Sequence, residues 1–295
     1  MSARTDILVT ALAPAVWGST YLVTTELLPH GYPITVAMLR ALPAGLLLLL
    51  VVRRLPEGAW WGRVLVLGAL NFSVFWVLLF VAAYRLPGGV AATVGAVQPL
   101  VVIALARLLI GTAIRLTAVL AAVAGLGGVA LLVLTPQSAL DPVGVAAGLG
   151  SAASMAAGTV LIRLWRAPVP PLTLTAWQLA AGGLLLLPVA LVMEPALPVP
   201  SAANLAGFLY LGLIGGAATY LVWFRGLSRL EPGAVAPLGL LSPVTAVLLG
   251  WLVLAQDLTA PQLLGMGLVL GSVVAGQRLQ HAPAAAPAPA RTAAT

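Results

Sequence analysis

Long uninterrupted apolar runs dominate the pattern of this chain. Cut at clusters of charged residues, proline and glycine, they give ten segments, near Ile7 to Leu27, Pro33 to Val52, Gly62 to Tyr84, Gly88 to Ile110, Leu116 to Leu134, Val143 to Leu164, Leu172 to Met193, Ala203 to Leu227, Gly233 to Leu254 and Ala260 to Gln277. At a rise of 1.5 Å per residue, each is of the right length to cross ~30 Å of hydrocarbon. Lipid offers no partner to an open backbone, so a spanning segment is either a helix or part of a closed barrel. The runs lack period-two alternation, which excludes the barrel. The pattern predicts an all-α integral membrane protein with ten transmembrane helices.

The first run is read as a retained helix, because it is long, has little basic leader beyond Arg4 and shows no small-residue cleavage site. From His281 to Thr295 the chain is rich in Ala and Pro without periodicity, which predicts a disordered cytoplasmic tail.

Composition agrees with the pattern. Of 295 residues, 61% are hydrophobic and 7% charged, against roughly a quarter charged in soluble domains. The net charge of +7 comes from arginine alone, since lysine is absent. Nucleic-acid binding is excluded, because these arginines stand singly or in pairs at the ends of apolar runs instead of forming one face. Their placement follows the positive-inside rule. With a cytoplasmic N-terminus, that side collects Arg4, Arg53, Arg54, Arg63, Arg107, Arg115, Arg163, Arg166, Arg225, Arg229, Arg278 and Arg291. The opposite side has Arg85, with Glu26, Asp141, Glu194 and Asp257. Both termini are therefore expected in the cytoplasm, with the protein in a cell inner (plasma) membrane. Arginine without lysine, beside abundant Ala, Gly and Pro, points to a GC-rich genome and a bacterial source. Cysteine is absent, which removes disulfides and thiolate chemistry. Without lysine there is no phosphate-cradling Walker loop.

Laid on itself, the chain repeats. A displacement of 144 residues pairs Phe80 with Phe224, Arg85 with Arg229, Gly89 with Gly233, Gly95 with Gly239, Pro99 with Pro243 and Gly127 with Gly271. Upstream, a displacement of 138 pairs Gly45 with Gly183, Arg40 with Gln178 and Trp17 with Met155. Two five-helix units are expected, residues 1–137 and 138–280, with 281–295 as the tail. An odd number of spans per unit inverts the second copy and places a shared central cavity between them, as in many secondary transporters. A merely stable bundle remains the plain alternative.

Candidate site residues follow. Pro99 and Pro243 fall in the fourth and ninth spans, where proline deletes a helix hydrogen bond and marks either a solute path or a packing kink. Gln98 and Ser242 precede them as polar side chains. Arg40 is the one charge well inside a span, either a docking point for a substrate carboxylate or a structural charge that snorkels or ties down carbonyls. Trp17 with Tyr21, Asn71 with Phe75, and Tyr220 with Trp223 share helix faces by spacing, and Trp177 adjoins Gln178. They line a cavity for an amphipathic solute or form an interfacial belt. No catalytic residue, metal ligand or cofactor site is expected.

The stretch Trp17-Gly18-Ser19-Thr20, the triplet Leu39-Arg40-Ala41 and the dipeptides Gln98-Pro99 and Ser242-Pro243, in register with ten spans and a duplication, resemble the EamA-type members of the drug/metabolite transporter superfamily. The match covers nearly the whole chain apart from the tail. The resemblance implies a ten-helix inverted-repeat fold around a central cavity and export of metabolites such as amino acids, aromatic amino acid exporters being the nearest functional model. One departure is the acidic position after the fourth helix, where this chain has Gly111, Thr112 and Ala113; its counterpart in the second half is Asp257.

The expected function is secondary, non-ATP transport of amino acids or related metabolites by alternating access. Facilitated diffusion or exchange is favoured, because no acid lies at the membrane centre and both histidines, His30 and His281, are in loops. The rivals are an exporter of hydrophobic drugs or cations and an intramembrane lipid-modifying enzyme. Expected partners are a small-molecule substrate and membrane lipid, with no nucleic acid, in a monomer or homodimer.

Overall fold

A computed structural model of the chain describes residues 3–86, 94–133, 141–230, 232–255 and 259–278, and every regular element among them is helical. The tail from 281, the 137/138 boundary, Gly89 and Asp257 lie outside the described residues. In chain order the α-helices are α1 (Ala3–Trp17), α2 (Ser19–Leu27), α3 (Pro33–Val52), α4 (Trp60–Gly68), α5 (Phe75–Arg85), α6 (Gln98–Ile110), α7 (Leu116–Val133), α8 (Pro142–Trp165), α9 (Pro171–Met193), α10 (Ala202–Leu209), α11 (Thr219–Arg229), α12 (Pro232–Val235), α13 (Leu241–Leu254) and α14 (Ala260–Arg278). π-helical turns at Ala69–Val74 and Tyr210–Ala218 join α4 to α5 and α10 to α11, and a 3₁₀ turn at Ala236–Leu240 leads into α13.

Seven of the resulting rods are long and apolar enough to cross a membrane: Arg4–Leu27, Pro33–Val52, Trp60–Arg85, Pro142–Trp165, Pro171–Met193, Ala202–Arg229 and Pro237–Leu254. Three further apolar helices, Gln98–Ile110, Leu116–Leu131 and Ala260–Ala275, are shorter and coincide with the expected fourth, fifth and tenth spans. The described residues thus form an all-helical bundle whose rods suit an integral membrane protein.

The helix ends explain themselves from the sequence. Pro33 opens α3 without needing a donor. The next two N–H groups, of Ile34 and Thr35, each donate to the Glu194 carboxylate at 2.7 Å, a negative charge against a helix N-terminus. Asp141 caps α8 by accepting from Val143 N at 2.8 Å and also meets Arg85 at 3.1 Å. Its carboxyl is held below the usual range, first by the Val143 N–H and then by Arg85. A capping box of Ser201 and Asn204 starts α10.

Small residues set how closely the helices pack. At the α3–α9 crossing a Cβ added to Gly45 would fall on the Ala180 backbone, and one added to Gly183 on Leu42. At the α7–α14 crossing Gly125 faces Ser272, and Gly128 faces Gly265, Leu268 and Val269. Side-chain hydroxyls add bonds to neighbouring backbones, from Ser73 to Gly182 O at 2.9 Å and from Ser154 to Leu70 O at 2.7 Å. Where α1 begins and α11 ends, the buried Asp6 pairs with Arg225 at 2.8 Å and Arg229 at 3.5 Å.

Candidate functional site

Between these helices lies a cavity with about 950 Å³ of atom-free space, its mouth included, of which about 130 Å³ admits the centre of a water molecule. The accessible part is smaller than ordinary small-molecule sites, which run to roughly 300–1,000 Å³. The wall holds ten of the thirteen candidates: Trp17, Tyr21, Arg40, Phe75, Gln98, Tyr220, Trp223 and Ser242, with Pro99 and Pro243.

The local backbone explains how they converge. α1 passes into α2 at Gly18, whose added Cβ would run into the backbone oxygen of Ser242; the bend therefore sits directly against α13. Trp17 and Tyr21 flank that contact. The Trp17 ring meets α11, 4.7 Å from Tyr220 and 5.2 Å from Trp223, centroid to centroid. Phe72, Trp76 and Phe224 extend the cluster around Tyr220. Tilted and edge-on rings at such distances attract one another beyond their burial.

Arg40 is 3% exposed. Its guanidinium carbon stands 4.5 Å over the Trp76 ring. Nη2 donates to Gly215 O at 2.8 Å and, more weakly, to Thr20 Oγ1 at 3.5 Å, whereas buried Nε has no partner. Gly215 belongs to the second π turn, and the same carbonyl accepts from Thr219 Oγ1 at 2.8 Å. Thr219 in turn accepts from Trp17 Nε1 at 2.8 Å. One carbonyl therefore ties Arg40 to Trp17 through Thr219.

No Asp or Glu lies among the described lining residues. Each described acid is engaged or exposed elsewhere: Asp6 with Arg225 and Arg229, Asp141 with Arg85, Glu194 on α3, and Glu26 and Glu57 at the surface.

Three candidates stand off the cavity wall. Asn71 and Gln178 are fully buried and bond to each other, Asn71 Nδ2 donating to Gln178 Oε1 at 2.7 Å. Trp177 donates from Nε1 to Arg54 O at 2.6 Å and fastens the chain after α3. The prolines also differ from the expected mid-helix kinks. Each stands in the first turn of its helix, after a break at Ala96–Val97 or at the 3₁₀ turn, where a missing N–H costs little.

Sequence reasoning missed Trp76, Thr20 and Thr219. Trp76 was findable, because the 144-residue displacement lays it on Tyr220, and its Nε1 donates to the Tyr220 hydroxyl at 3.1 Å. Thr219 carried no signal beyond being one more hydroxyl in an apolar helix.

An all-helical membrane bundle around a mixed aromatic and cationic cavity defines a membrane protein that handles a small solute; the comparisons with known proteins say which kind. The model of the EamA-like transporter family matches residues 4–134 and 142–275. The chain belongs to that family of membrane transporters. It is 46% identical over 264 residues to protein PecM of Dickeya dadantii (strain 3937), 89% of either chain. It is 28% identical to the uncharacterized inner membrane transporter YedA of Escherichia coli (strain K12), over 88% of this chain and 86% of that one. The chloroplastic WAT1-related protein At3g02690 of Arabidopsis thaliana is 29% identical, over 87% of this chain and 66% of that one. A protein crystal structure superposes on 95% of this chain and all of its own, with a TM-score of 0.77 at 21% identity, which establishes a shared fold. The family and YedA are transporters in name.

Proposed function

We propose that this protein is a secondary transporter that moves a small amphipathic metabolite through the central cavity by alternating access. In this reading ten spans form two inverted five-helix units, residues 1–137 and 138–280, with both termini in the cytoplasm of a bacterial cell and the chain in its inner membrane. Amino acids, aromatic ones above all, are the first solutes to test, and transport is facilitative or by exchange.

One observation carries the reading: twelve of the twenty described lining residues fall into pairs 144 positions apart. Gly95 and Gly239, Ala96 and Leu240, Gln98 and Ser242, Pro99 and Pro243, Trp76 and Tyr220, and Leu79 and Trp223 all face it. The glycine seams support it too. Gly45 meets Ala180 while Gly183 meets Leu42, and the 138-residue displacement exchanges these two contacts. Gly125 with Ser272 and Gly128 with Val269 are exchanged in the same way by 144. Self-exchanging contacts are what a twofold axis between like units generates. The π turns at Ala69–Val74 and Tyr210–Ala218 overlap under that displacement as well.

Carriage of cations is disfavoured by Arg40 and by the lack of a described acid on the wall. The test is counterflow of radiolabelled aromatic carboxylates, amino acids among them, by the purified protein in liposomes. Flux above protein-free vesicles that falls several-fold in Trp223→Ala, with folded protein retained, is expected. Chemical conversion of the solute points instead to an enzyme, and saturable binding without flux to a receptor.

A further inference from the structure

Resting on the transport reading, we propose that the solute is an organic anion, a planar ring bearing a carboxylate or similar group whose charge is set against Arg40. The guanidinium is almost wholly out of water, and an intramembrane cation left uncompensated is costly. Its protein partners are all neutral: a carbonyl, a hydroxyl and an indole face. All of these lie on the Nη2 side or over the plane, and Nη1 makes no hydrogen bond among the described residues. A charge needed only to fasten α3 to the second π turn is an expensive substitute for a neutral donor.

The rest of the wall is matched to the same ligand. Trp223 lines the cavity, and its buried Nε1 has no partner. Trp17, Tyr220 and Trp223 supply faces for a ring. A zwitterion or a cation would bring an ammonium group, and the described wall offers it no carboxylate. Arg40, the single formal charge on the described wall, therefore selects for one negative charge on the solute.

Four probes with one ring separate the cases: indole-3-acetate, indole-3-acetamide, tryptamine and tryptophan, measured by calorimetry on the purified full chain at neutral pH. The anion should bind about tenfold or more tighter than the other three, as a charge-assisted bond in a dry site does. Arg40→Gln should bring acetate and amide level, while Arg40→Lys should keep the preference. In liposomes, an inside-positive potential of ~60 mV should raise steady-state uptake of the anion about tenfold and leave the amide unchanged. Equal binding of acetate and amide by the wild type overturns the proposal without needing any variant. So does equal binding of tryptophan, which leaves transport standing, and so does displacement of indole-3-acetate by chloride or phosphate at equal concentration. Failure of all four probes to bind also overturns it. Anion-selective binding without flux upholds the site and removes the transport reading.

Discussion

The link from Trp17 through Thr219 to the Gly215 carbonyl makes a prediction with a worked magnitude. Thr219→Val keeps the shape and removes the hydroxyl that accepts from Trp17 Nε1 and donates to Gly215 O, both at 2.8 Å. Thr219 is 5% exposed, so the indole N–H is left with little water, and an unsatisfied buried donor costs about 1–3 kcal/mol. Trp17→Phe removes the same bond from the other side and retains a ring against Tyr220 and Trp223, at about 1 kcal/mol for the bond. With Phe at position 17 the N–H is gone, and Thr219→Val then costs only what the Gly215 bond contributes. The double-mutant cycle should therefore show a coupling of about 1–3 kcal/mol, the cost of the orphaned indole N–H. Unfolding by rising SDS fraction in mixed micelles, followed by tryptophan fluorescence, measures it. Additivity within about 0.3 kcal/mol would refute the linkage and with it the view that Trp17 is held by α11.

Other expectations follow from the same geometry. Gly45→Ala drives a methyl into the Ala180 backbone and should cost about 3 kcal/mol or more, whereas Gly127→Ala, with open space around it, should be neutral or stabilising in a thermal-shift assay. Asp6→Asn removes both ion pairs and should speed maleimide labelling of Leu227→Cys, at the same end of the bundle, about fivefold, roughly 1 kcal/mol of ion pairing; unchanged labelling shows that these pairs do not hold that end together. Asp141 has a depressed carboxyl, so its contribution is fully present above the ordinary value of 3.8 and lost as pH falls through its folded value. The stability deficit of Asp141→Asn at pH 7 should shrink progressively as pH is taken below 3.8, followed by thermal unfolding across the acid range.

Much of the bundle was legible because lipid permits so few backbone solutions: apolar length alone located the rods, and the Gly and Pro coincidences at 144 residues located the wall. Trp17, Tyr21, Arg40, Tyr220 and Trp223 were legible for a second reason, being large or polar in helices that had no other use for them. Asn71 and Gln178 have the same character and yet turn away. Gly45, Gly68, Gly182 and Gly183 bring α3, α4 and α9 so close that these two amides meet each other instead of a solute. Helix spacing gives the face of a residue but not which neighbour will occupy it. The prolines misled in another way. Proline reports that a helix is discontinuous, and the break precedes each one by a few residues, where no residue type announces a 3₁₀ turn.

The paired glycine crossings have a mechanical consequence. Helices touching backbone to backbone, as α3 does α9 and α7 does α14, have no side-chain layer to shear, so each pair behaves as a single stiff strut. Compliance is left to the members between them, which carry the bend at Gly18, both π turns and the 3₁₀ turn before α13. In the proposed alternating-access cycle, motion that reshapes the cavity is carried by those members, while α3 presents Arg40 to the wall as part of a strut.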